Sequence, residues 1–233
     1  MNPIPVWLSV VIVSVSMFSE AVAQDLKVDI RRFAFGTPDS VTRDGFTKVT
    51  VEDLFTPEKG YGFESVTELR AFDRGGSKVE LPGDAYTASV YGAYRTTSDI
   101  TSAFVEGRGD NTFLVALPDG DYTVWVIACD AAWAPPLFEV WANDEQKLDV
   151  QIPRARFVFM ESFQAHASGG QLQIELKGRH GWILSGLVIG KEGPELARVV
   201  AKLEQDVFFL TKQELTKWKE ATYVPENPPL EWA

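Results

Sequence analysis

The chain has 233 residues, 45% of them hydrophobic and 24% charged, with a formal net charge of −11. That composition suits a folded domain of good size, and an acidic surface of this strength repels phosphates and excludes nucleic acid as a partner. A single cysteine, Cys129, excludes an internal disulfide, so core burial must hold the fold together.

The first element in chain order is an apolar run from Val6 to Phe18, followed by Ala21-Val22-Ala23. The small-x-small ending predicts a signal peptide over 1–23, cleaved after Ala23. The run is shorter than the roughly 20 residues a membrane span needs, and it lacks Lys and Arg in its n-region, which keeps a signal anchor as the alternative. The mature chain is therefore expected to be secreted or periplasmic, without a membrane partner after cleavage.

From Lys27 to Ile189 the pattern is strand, turn, strand. "VDIRRFAFG" alternates and stops at Gly36, and "FTKVTV" is short and β-branched. "FTPEKGYGFE" (55–64) is dense in rings and turn residues. Its Gly60-Tyr61-Gly62-Phe63-Glu64-Ser65 is no dinucleotide turn, because Ser65 replaces the third glycine and no helical pattern follows. Tyr86 to Gly109 reads as a strand and a long irregular loop. "NTFLVALPDGDYTVWVIACD" predicts two strands joined by a hairpin turn at Pro118–Asp121. Two further hairpins are predicted around Asn143–Glu145 and Ser168–Gly170, and "WILSGLVIG" ends the series. The sum is an all-β fold, an antiparallel sandwich over 24–192.

The tail over 193–233 changes character. "PELARVVAKLEQDVFFLTKQELTKWKEA" has helical spacing, and Thr211 with Glu214 forms a capping box that predicts a helix after Thr211. Leu215 and Trp218 would share a face of it. With Phe208 and Phe209 they offer a surface for docking on the sandwich or on a protein partner. "YVPENPPLEWA" is then proline-rich and extended.

If consecutive strands from Asn111 run in opposite directions, their loops alternate between two ends. Asp119-Gly120, Asn143-Asp144 and Ser168-Gly169 fall at one end. The other collects 107–110, 130–136, 153–155 and 178–181. That second end carries Asp130, Trp133, Arg154, Arg179 and His180, with Trp182 just inside. An exposed ring beside planar polar groups is what sugar binding uses: the ring stacks on a pyranose face and the polar groups bond the hydroxyls. Trp133 in "DAAWAPP" is either such a platform or a plug over the core. Trp125 and Trp141 read as core residues of strands, and Cys129 as a small buried residue of one.

Other chemistry finds little support. His166 and His180 are the two histidines and fall at opposite ends of a strand, so they should not share a metal. No cofactor is expected; a structural calcium held by carboxylates and carbonyls at a sandwich edge stays open. Gly-x-Ser-x-Gly is absent, and Gly83-Asp84-Ala85 lacks a nucleophilic serine. An enzyme would need carboxylates converging in a cleft. Arg108-Gly109-Asp110 reads as an ordinary loop.

Several blocks together resemble a known family. They are Phe33 to Gly36, Gly45 to Val49, Tyr61-Gly62-Phe63, Phe113 to Tyr122 and Gly186 to Ile189. Their order over Leu26 to Gly190 is similar to that of galactose-binding-like jelly-roll carbohydrate-binding modules adjoining rhamnogalacturonan acetylesterases, agarases and polysaccharide lyases. The chain departs from that pattern at Ala34 and at Cys129-Asp130. The resemblance implies a secreted, non-catalytic module for a plant or algal type polysaccharide or oligosaccharide. The alternative is a structural or protein-interaction sandwich, a remnant accessory domain of a larger carbohydrate-active enzyme. The expected ligand residues are Asp130, Trp133, Arg154, Arg179, His180 and Trp182.

Overall fold

A computed structural model describes residues 30–74, 98–152 and 157–207. The expected signal peptide, the strand near Tyr86, Arg154 and the expected helix after Thr211 lie outside the described residues.

The described residues form thirteen strands and one helix. They are β1 (Arg31–Phe35), β2 (Thr47–Val49), β3 (Tyr61–Phe63), β4 (Leu69–Asp73), β5 (Ala103–Gly107), β6 (Asn111–Ala116), β7 (Gly120–Ala128), β8 (Phe138–Ala142), β9 (Glu145–Val150), β10 (Phe159–Ala167), β11 (Gln171–Lys177), β12 (Trp182–Leu184), β13 (Gly186–Gly190) and α1 (Pro194–Val207). One sheet runs β10-β7-β13-β1-β2, the second β3-β6-β11-β8-β9, and a short third β12-β5-β4. Pairing is antiparallel except between β1 and β2. The fold is the all-β sandwich that the turn spacing predicted.

Two of the three expected hairpins are not hairpins. β6 and β7 lie in different sheets, as do β10 and β11, so the turns at 117–119 and 168–170 arch from one layer to the other. Only β8 and β9 pair across their turn, where Asn143 and Asp144 both take positive φ (50° and 65°), the geometry of a tight hairpin. "WILSGLVIG" is likewise two strands. It breaks at Ser185, whose backbone N–H donates to Ile127 O at 2.9 Å and whose carbonyl accepts from Phe35 N at 2.9 Å. The change of partners there lets β12 join β5 while β13 enters the first sheet.

The core between the sheets is aromatic. Phe33, Phe35, Phe63 and Phe113 meet with ring centroids 5.1–6.0 Å apart, and Phe63 stacks on Trp182 at 6.2 Å. The blocks that carry the family resemblance thus hold the core together. In "FTPEKGYGFE", Phe63 is fully buried and Tyr61 lies 5.2 Å from Phe33. Gly62 is obligatory: its φ is 142° and a Cβ would sit 2.5 Å from Phe55 N and 2.6 Å from Asp53 O. The neighbouring Asp53 accepts from Thr50 N (2.6 Å) and Lys59 Nζ (3.0 Å). Burial alone would raise its pKa, but these donors win and hold it below the ordinary aspartate range. A lowered folded-state pKa stabilises above the unfolded value, about 4, and that contribution fades as pH falls through the folded one. The stability gap between wild type and Asp53→Asn in urea should accordingly be present at pH 7 and narrow below about pH 4. A gap that is independent of pH would contradict this.

A second apolar layer explains the unbroken run "YTVWVIAC". In β7, Val124 and Val126 face the other sheet, while Ile127 and the following Cys129 face outward. There they meet Leu196, Val200, Leu203 and Val207 of α1. Those positions repeat at four and three residues and form one stripe. A sheet covered on both faces needs apolar residues on both, so alternation is lost. The helical segment of the tail is therefore docked on the sandwich. Leu203→Ala should cost about 2–5 kcal/mol in a denaturant titration; a change below about 0.5 kcal/mol would mean that α1 is not part of the folding unit. Trp141, expected in the core, instead lies half-buried on the outer face of the second sheet. Its indole N–H donates to Glu139 Oε2 at 2.7 Å, and Lys177 Nζ sits 4.0 Å from its ring.

Candidate functional site

The described loops sort to two ends as the strand directions predicted, and 153–155 lies outside the described residues. Asn143 Nδ2 donates to His166 O, and Gly170 N donates to Asp119 Oδ1 at 2.7 Å, so the three tight turns share one end. His166 is there, paired with Asp121 at 2.7 Å, away from His180. At the opposite end a groove of about 230 Å³ opens between Trp133, His180, Arg108 and Glu106.

The loop that carries Trp133 is braced at its base. Asp130 is only 5% exposed. Its two oxygens accept from Arg74 Nε and Nη2, both at 2.9 Å, and Oδ1 also accepts from Ala132 N at 2.8 Å. The last bond is a side-chain turn to the backbone two residues on. Arg74 in turn lies over the rings of Phe72 (4.9 Å) and Phe104 (5.3 Å). A planar guanidinium suits both the fork to the carboxylate and the stack on rings. Asp130, expected among the ligand residues, lines the groove and holds the loop through these bonds.

Beyond this brace, Ala132, Trp133 and Ala134 are exposed, and Pro135 and Pro136 stiffen the return to β8. Trp133 is 70% exposed. Trp133 in "DAAWAPP" therefore does not plug the core.

Trp182 is the opposite case. It is 1% exposed, and its indole N–H is shared between Gly109 O (2.9 Å) and Asn111 Oδ1 (3.2 Å). Gly107 packs so closely that a Cβ there would lie 2.4 Å from the indole. Trp182 was expected among the ligand residues; it forms the groove's floor as a core residue and anchors the Arg108-Gly109-Asp110 loop.

Arg179 and His180 form the tip of a tight turn closed by Gly181 N donating to Gly178 O at 3.0 Å. A Cβ at Gly178 would lie 2.2 Å from Gly181 O, so the turn demands glycine there. Both tip residues are exposed; His180 lines the groove and Arg179 stands beside it. Arg74, Glu106 and Arg108 were not singled out from the sequence. Glu106, Arg108 and His180 make no side-chain hydrogen bond or ion pair among the described residues. They are thus three uncommitted polar groups around one exposed ring. Among the described residues no three His, Cys, Asp or Glu side chains are placed to hold a metal ion, and no helix is long and apolar enough to cross a membrane.

The chain is similar to solved structures of low sequence identity. Protein YxiM of Bacillus subtilis superposes with a TM-score of 0.51 at 22% identity, over 71% of this chain and 40% of its own. β-Glucuronidase 2 of Bacteroides uniformis gives 0.49 at 11% identity, over 73% of this chain and 19% of its own. The ANX2 ectodomain of Arabidopsis thaliana gives 0.46 at 11%, over 71% and 50%. The likeness to YxiM is one of fold, and this chain spans 40% of that protein's length. No protein-family model and no curated protein sequence matches the chain.

Proposed function

We propose that this chain is a secreted, non-catalytic carbohydrate-binding module that stacks a sugar ring on Trp133. The observation that carries this reading is the exposed indole, held on a braced loop beside Glu106, Arg108 and His180. A rigid ring presents a flat apolar face at little entropic cost. The Arg108 guanidinium, the Glu106 carboxylate and the His180 imidazole supply donors and acceptors for hydroxyls. Among the described residues, Glu106 is the one carboxylate lining the groove that is not bound to Arg74, a poor basis for glycoside hydrolysis, which works with a pair. The polysaccharide class, plant or algal, follows from the family resemblance.

A glycan array with neutral and acidic plant and algal polysaccharides tests this, followed by calorimetric titration of the hits. Saturable binding that competes with free oligosaccharide is expected. Absence of binding across the array would overturn the reading.

A protein-interaction module is the second reading. Leu137, 60% exposed, stands four residues from Trp133 in the same loop, and two large exposed apolar side chains in one loop also suit a protein contact. α1 is not available for it, because its apolar stripe is already buried. Loss of array binding together with a concentration-dependent complex that Leu137→Asp abolishes would favour this reading.

A further inference from the structure

A second cavity, of about 420 Å³, lies between α1 and the β1–β2 connection and shares no residue with the Trp133 groove. Arg32 projects into it from β1, Thr42 from the connection and Lys202 from α1, with Asp44 and Asp99 at its rim and Leu203 in its wall.

The polar atoms there are unsatisfied. Arg32 Nε and Thr42 Oγ1 are both fully buried and have no hydrogen-bond partner among the described residues. Neither Arg32 nor Lys202 makes an ion pair among the described residues, whereas the neighbouring Arg43 is paired with Asp206. A buried donor without a partner is costly, and a guanidinium more so than a neutral group. Native folds rarely keep such atoms without a reason. Two of them facing one cavity, with an unpaired ammonium beside them, describe a receptor for an anion.

The rim narrows the class. Asp44 and Asp99 would repel a dianionic phosphate but tolerate one negative charge. They would also accept hydrogen bonds from hydroxyl or ammonium donors. A planar carboxylate fits the Nε edge of a guanidinium in a two-bond fork. We propose that this cavity binds a small organic monocarboxylate bearing hydroxyl or ammonium groups, with its carboxylate on Arg32, Thr42 and Lys202.

The test is a titration of the full chain, followed by nitrogen-15 NMR of the arginine Nε–H signals and by calorimetry. The probes are D-glucuronate, L-serine, D-glucose and inorganic phosphate. Saturable binding of glucuronate or serine is expected, with a shift of the Arg32 Nε–H resonance; which of the two binds separates a sugar acid from an amino acid. Arg32→Gln and Thr42→Val should each weaken binding at least tenfold with the melting temperature retained, while Trp133→Ala leaves it unchanged. That last comparison separates this site from the groove, so either can fail alone. A glucose-induced shift of the Arg32 Nε–H resonance equal to that of glucuronate, preference for phosphate, calorimetric binding insensitive to Arg32→Gln, or no shift with any probe would overturn the proposal.

Discussion

Trp182→Ala should cost about 3–5 kcal/mol, the range for removing a large buried aromatic. The indole is 1% exposed, stacks on Phe63 and supports Gly107 directly. Its loss leaves a cavity and takes the donor away from Gly109 O and Asn111 Oδ1. For a domain of this size the melting temperature should fall by on the order of 10 °C. Trp182→Phe keeps the ring stack and loses the N–H, so its cost should be nearer 1–2 kcal/mol. Thermal and urea unfolding of the two variants give the ranking. Equal, small losses in both would show that the indole does not anchor the 107–110 loop.

Trp133→Ala should do the reverse. An exposed side chain outside the core changes stability by no more than about 0.5 kcal/mol. Removing a central aromatic from a binding site costs about 2 kcal/mol or more, roughly a 30-fold loss of affinity. The paired measurement is calorimetric titration with an array-identified oligosaccharide alongside the unfolding curve. Retained affinity would remove Trp133 from the site whatever the stability result. Asp130→Ala belongs between these extremes. It frees Arg74 and Ala132 N, so it should lower stability and loosen the Trp133 loop together.

The contrast between the two tryptophans shows how far a sequence reaches. Both stand near turn residues, and both were placed at the same end of the sandwich by counting strand reversals. The count survives because every tight turn reverses the chain, whether it joins neighbours in one sheet or arches between layers. For the same reason the turns at 117–119 and 168–170 looked like hairpins: their Gly and Asp chemistry is local and does not specify the next strand's partner. Arg74 gave no signal, because the segment around it has no clear alternation and its partner Asp130 is 56 residues away. Trp141 was misplaced because the pairs that hold it, Glu139 and Lys177, depend on the β8–β11 register.

The β character, the end at which each loop falls and the helical stripe of α1 were written in the sequence itself, since periodicity and turn chemistry act over a few residues. Tertiary structure decided which polar groups are spent and which are free. Asp130 is bound by Arg74, Trp182 is buried in the core, and Arg32 Nε has no partner among the described residues. Those outcomes depend on side chains brought together from distant strands, and burial and pairing across such distances leave no mark on local pattern.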